Sequence, residues 1–106
     1  MERATEVVEL SNGQTVVVQE LNAMEVTTAS LIANGKRPND SIAMTAVAAV
    51  FAIAEIGGQK CERPRTFTDV EAFLSNLRVR DYNRILAAFH RLSGEAEGEA
   101  QAVEQQ

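Results

Sequence analysis

SIAMTAVAAVFAIA, residues Ser41 to Ala54, carries no charge across fourteen positions in a chain that is 24% charged. As a helix it spans about 21 Å, short of the ~30 Å of a bilayer core, so it does not read as a membrane span. It reads as the central helix of a small domain, as part of a protein-binding surface, or as both. At about 100° per residue, Ile42, Ala46, Val50, Ile53 and Ile56 share one side, with Val47, Phe51 and Ala54 beside them. The remaining face holds Thr45, Ala48, Ala49 and Ala52. That face is small rather than polar, so a second helix can approach closely. A helix apolar all round is normally buried all round. This one is expected to stop at Gly57-Gly58.

Working outward, Glu6–Leu10 and Thr15–Leu21 flank Ser11-Asn12-Gly13-Gln14. Asn-Gly between β-branched runs predicts a hairpin with a type I′ turn. A two-residue turn sets Val8 against Val17 and Val7 against Val18, leaving both faces partly apolar. Asn22 and Glu25 form a capping box for a helix running to about Ala33 and stopped by Asn34-Gly35. Asp40 or Ser41 caps the uncharged helix. Gln59–Thr66 is expected to be a polar loop carrying Lys60, Arg63 and Arg65 around Pro64. Thr68 and Glu71 suggest a second capping box, starting a helix to about Leu77. Arg78–Leu92 makes the last helix. The fold class is therefore α+β, an N-terminal β-hairpin followed by three to four short helices. Residues 1–94 form one compact domain and 95–106 an acidic, disordered tail.

Composition supports this size of core. The chain has 106 residues and 45% hydrophobic content, with no Trp and five aromatics, so Val, Ile, Leu and Ala must fill the interior. The net charge of −5 is uneven: all ten Lys and Arg precede Gly94, and four Glu follow it. The body is nearly neutral, which disfavours a nucleic-acid binder. The N-terminus lacks the apolar region of a signal peptide, and a single Cys excludes a disulfide framework. Both points fit a reducing cytoplasm.

Catalysis finds little material here. One His and one Cys cannot build a four-ligand zinc site. Cys61 lies beside Lys60 and Arg63, which could lower its pKa, but a nucleophilic pair would need contact with His90. Gly57-Gly58 lacks any phosphate-loop spacing. No cofactor is expected. On the last helix, Tyr82, Ile85, Leu86, Phe89 and Leu92 form an apolar stripe, while Arg80, Arg84 and Arg91 fall within about 40° of one another opposite it. The arginines read either as a solvated face or as a docking stripe for an acidic partner.

The order of these segments resembles a known family. Glu20-Leu21-Asn22-Ala23-Met24-Glu25 follows the β segment, and the apolar helix ends Ala54-Glu55-Ile56-Gly57-Gly58. Phe67-Thr68-Asp69-Val70-Glu71-Ala72-Phe73-Leu74 then precedes Leu77-Arg78-Val79-Arg80-Asp81-Tyr82-Asn83-Arg84-Ile85-Leu86. Over about residues 6–92 the chain resembles the tail assembly chaperones of contractile-tailed bacteriophages and prophages, most closely at Asp81-Tyr82. The resemblance implies a non-enzymatic protein that holds the helical tape measure protein, and possibly meets the tail tube protein, while the tube polymerises. It implies a protein of the bacterial host cytoplasm, absent from the mature virion, and sometimes made in a longer, frameshifted form. No membrane or nucleic-acid partner is implied. Thr45, Ala48, Ala49 and Ala52 are then expected to form a client-binding floor, with Arg80, Arg84 and Arg91 as its rim. The uncharged helix and the two-faced hairpin also predict a homo-oligomer. Two other readings stay open: a small structural component of a phage tail or baseplate, and a small inhibitor using its acidic tail as a nucleic-acid mimic.

Overall fold

The computed structural model describes residues 3–94. The expected acidic tail at 95–106 lies outside those residues. The chain is α+β: β1 (Thr5–Glu9), β2 (Thr15–Gln19), α1 (Ala23–Asn34), α2 (Ser41–Phe51), β3 (Ile53–Ile56), β4 (Gln59–Lys60), α3 (Phe67–Ser75) and α4 (Val79–Leu92). One antiparallel sheet has the order β1-β2-β3-β4. No helix among the described residues is long and apolar enough to cross a membrane.

The uncharged stretch departs from its helical reading after Phe51. Asp40 starts α2 by accepting from the amides of Ile42 and Ala43 at 3.0 and 3.1 Å. Beyond Ala52 the chain turns extended, and β3 fills the second edge of β2, pairing Val18 with Ile53, Val17 with Glu55 and Val16 with Ile56. Ala54 is left over as a bulge. The reason is partnership. An isolated hairpin is marginal in water, and a third apolar strand supports it. Gly57 and Gly58, expected as a helix stop, are the two-residue turn between β3 and β4, both at positive φ as a type I′ turn requires. Gln59-Lys60 is thus a strand rather than part of a loop.

The first hairpin is present, but its register differs by one residue from the expectation. The amide of Gly13 donates to the Leu10 carbonyl at 3.0 Å and that of Leu10 to the Gln14 carbonyl at 2.8 Å. Only Gly13 of the turn has positive φ, so the loop has three residues with a glycine bulge rather than a type I′ pair. Val8 therefore faces Val16 and Val7 faces Val17. Because side chains alternate, this puts Val8, Leu10, Val16 and Val18 together in the core and leaves Val7 64% exposed.

Helices cover one face of the sheet. The Asn22–Glu25 capping box of α1 forms as expected. The box of α3 forms two residues early: Thr66 caps it, and Asp69 reaches back to the amides of Arg65 and Thr66 at 3.0 and 3.3 Å. On α4 the buried side is Asp81, Ile85, Ala88 and Phe89. Asp81 is the single buried charged residue among those described. Its carboxylate accepts from the Ser11 amide at 2.9 Å and the Ser11 hydroxyl at 2.8 Å, which ties the hairpin turn to the first turn of α4.

Burial alone would raise the pKa of Asp81, but the two Ser11 donors, together with the nearby charges of Arg84 and Arg78, outweigh it and hold the carboxyl below the ordinary aspartate range. Its contribution to stability is then complete above the unfolded-state value of about 3.9 and fades as pH falls through the lower folded value. Asp81→Ala should lower the thermal midpoint by several degrees at pH 7. Asp81→Asn should lower it less and flatten the acid limb of the stability–pH curve. Thermal melts across pH 2–7, with ~ half-unit steps, check both.

Candidate interaction site

The small face of α2 is inside the subunit. Ala48 is 6% exposed and Ala49 and Ala52 are fully buried, with Thr45 half-buried. The three alanines belong to one core cluster with Ala29 and Ala33, the buried residues of α1, and α1 is the main helical neighbour of α2. Alanine on both sides permits the close approach that the sequence suggested, but the partner is α1 rather than another chain. With its three alanines buried and Thr45 only half-exposed, this face is not an open client floor.

The arginine stripe is divided. Arg84 donates to the Glu9 carbonyl at 2.8 Å, and Arg91 pairs with Glu6. Both hold α4 to β1. The Arg91 bond and charge keep the Glu6 carboxyl below the usual range despite some burial. All three remain exposed, but Arg80 alone makes no ion pair or side-chain hydrogen bond among the described residues. A solvated face opposite a helix's apolar stripe can still be tied to the fold when a strand edge lies within reach of long side chains.

A different surface is open. Met24, Thr28 and Leu31 recur at helical spacing on the outer face of α1, and Met24 and Leu31 are 68% and 65% exposed. Beside them lies a groove of about 450 Å³ lined by Leu31, Ile32, Arg65 and Phe67. Across Arg65 lies a second cavity of about 500 Å³, floored by Val50, Ile53 and Phe73 and edged by Cys61, Arg63 and Asp69. Arg65 lines both. The loop around Pro64 is positioned by the Thr66–Asp69 capping box and by Arg63, which pairs with Glu25 at 2.7 Å and lies over the Phe51 ring at 5.0 Å. Arg37 stacks on Phe67 at 5.9 Å. Neither Arg37 nor Arg65 makes an ion pair among the described residues. The result is a two-lobed tract, mainly apolar beside Leu31 and mixed beside Glu62 and Asp69, with a cation at its waist, within the size range of ligand and side-chain pockets.

Reactive chemistry is not assembled there. Burial pushes the Cys61 thiol up rather than down, against the expectation from its basic neighbours. His90 packs its ring against Phe89, with centroids 5.5 Å apart, and does not line the Cys61 cavity. The described residues contain no cluster of His, Cys, Asp or Glu suited to a metal ion. The third crevice, about 230 Å³ between the hairpin turn and the start of α4, contains the Asp81 carboxylate already bonded to Ser11.

The sequence reading passed over this tract. Met24, Thr28 and Leu31 at i, i+4 and i+7 were a visible stripe, but α1 carries apolar residues on several sides and so shows no single face. No family model, no curated protein and no solved structure matches the chain.

Two expectations follow. Ala48→Glu should cost several kcal/mol, because it places a carboxylate without a partner in the α1–α2 contact. Loss of the cooperative thermal transition, rather than a changed association state, is the outcome to look for. Cys61 should react with iodoacetamide at pH 8 more slowly than free glutathione, and the difference should vanish in denaturant.

Proposed function

We propose that this protein is a non-enzymatic assembly chaperone of the bacteriophage tail type, which holds a helical client in the tract around Arg65. The observation that carries this reading is the open α1 stripe. Two large apolar side chains, Met24 and Leu31, stand in solvent beside a groove whose rim cation has no ion-pair partner among the described residues. Helix-in-groove recognition uses this combination: apolar anchors for affinity and a charged rim for orientation and capture. The resemblance over residues 6–92 supplies the client class, the tape measure protein, and with it action in the host cytoplasm before the virion is complete. The tract replaces the α2 small face as floor, and Arg65 replaces the α4 arginines as rim.

Co-expression with the tape measure protein of the same phage or prophage tests the reading. The wild-type chain should keep that client soluble and co-purify with it. Leu31→Asp should weaken binding about tenfold, mainly through faster dissociation, since loss of one large apolar contact is worth ~1.5–3 kcal/mol at most. Arg65→Glu should slow capture and reverse the sign of its salt dependence. If both variants capture the client as the wild type does, the tract is not the site. If the wild type captures nothing and is instead stoichiometric in purified particles, the chain is a structural tail component.

A further inference from the structure

We propose that β1 is a self-association edge, pairing antiparallel with β1 of a second copy in one register that Arg84 selects. The sheet ends at β1 on one side. Along β1 the even residues bond to β2: the Glu20 amide donates to the Ala4 carbonyl at 2.9 Å, and the Leu10 amide to the Gln14 carbonyl at 2.8 Å. By alternation, the amides and carbonyls of Thr5, Val7 and Glu9 point away from the sheet. The Glu9 carbonyl is taken by the Arg84 guanidinium at 2.8 Å, which confirms its outward direction and closes that end. The backbone groups of Thr5 and Val7 have no partner among the described residues.

Four open groups on two alternate residues define a two-fold pairing. Satisfying all of them between identical strands sets Thr5 opposite Val7 of the second copy and Val7 opposite its Thr5. Each pair exchanges two backbone hydrogen bonds. Both are β-branched pairs, which suit cross-strand contact. The same register sets Glu9 opposite Arg3 of the second copy, whose guanidinium already bonds Glu25 and the Glu20 carbonyl of its own chain, so the pairing rests on the backbone groups of Thr5 and Val7. Glu6 meets its own copy across the axis, and each is already neutralised by Arg91. Val7, 64% exposed in the single chain, gains a neighbour on the outer face of the doubled sheet. Natural edges are usually blunted by Lys, Pro or covering elements. Here only the Glu9 end is blunted. The interface is independent of the tract around Arg65 and holds whichever client that tract takes.

Sedimentation from micromolar to millimolar concentration tests the edge. The wild type should pass from monomer to dimer, and the Thr5 and Val7 amides should gain hydrogen-exchange protection with concentration. Val7→Pro removes an outward N–H that no internal bond uses, and Val7→Lys adds an edge charge. Both should stay monomeric at every concentration with an unchanged thermal midpoint in the dilute limit. Should Val7→Pro fail to fold, Val7→Lys carries the test. Val17→Lys, on the same face but one strand inward, should dimerise as the wild type does. A strict wild-type monomer, a dimer indifferent to Val7→Lys, or a dimer lost only in Val17→Lys overturns edge pairing; the last outcome points to face stacking instead.

Discussion

One constraint organises this fold: a domain of this size has to cover most of a fourteen-residue run that has no charged face. A single helix cannot do it alone, because any helix lying on a layer leaves one side open. The chain divides the problem. Ser41–Phe51 stays helical and places its alanines against the alanines of α1, while Ile53–Ile56 becomes a strand and closes the open edge of the hairpin. Ala52 is the pivot. It ends α2, and its carbonyl accepts from the Gln19 amide at 2.8 Å, so helix and sheet share a joint without a loop.

The second layer of control is polar. Three groups on α4 reach the first hairpin: Asp81 holds Ser11 in the turn, Arg84 caps the Glu9 carbonyl and Arg91 pairs with Glu6. Apolar packing alone would let α4 slide along the valine face of the sheet. These contacts give it one position and one direction, which is the specificity that buried and half-buried polar contacts can supply. Two of the three arginines that looked like a docking stripe, Arg84 and Arg91, are spent on this task.

What remains open is therefore informative. With the α2 small face filled and the α4 stripe largely engaged, the exposed large apolar groups concentrate on α1, at Met24, Val26 and Leu31, together with Val7, Ile42 and Val79. The α1 stripe adjoins cavities that share Arg65, and Val7 sits on a strand edge. Two surfaces of different physical kind result: side-chain pockets suited to a helix, and backbone groups suited to a strand. A binding protein that also self-associates has use for both.

Local rules were enough for much of the fold. Asn22 with Glu25 caps α1 through contacts within three residues, so the sequence alone carried it, whereas for α2 the sequence offered Asp40 or Ser41 and the structure selects Asp40. The α+β class and the last helix followed from periodicity in the same way. The turns were harder, because Asn12-Gly13 and Gly57-Gly58 each have the composition of a type I′ turn, and only the strands available on either side decide which adopts it. Gly57-Gly58 joins two strands that meet directly, whereas Gly13 closes a longer loop whose register lets four apolar residues reach the core together. The conversion of Ile53–Ile56 from helix to strand was likewise a tertiary decision, since an apolar run of that length suits either state until an unpaired edge of β2 lies beside it. The candidate site was settled last and by the same logic. Charge and size show which side chains could bind a partner, but Ala48, Arg84 and Arg91 were already claimed by neighbours distant in sequence, and only packing reveals that Arg65 and the outer face of α1 were not.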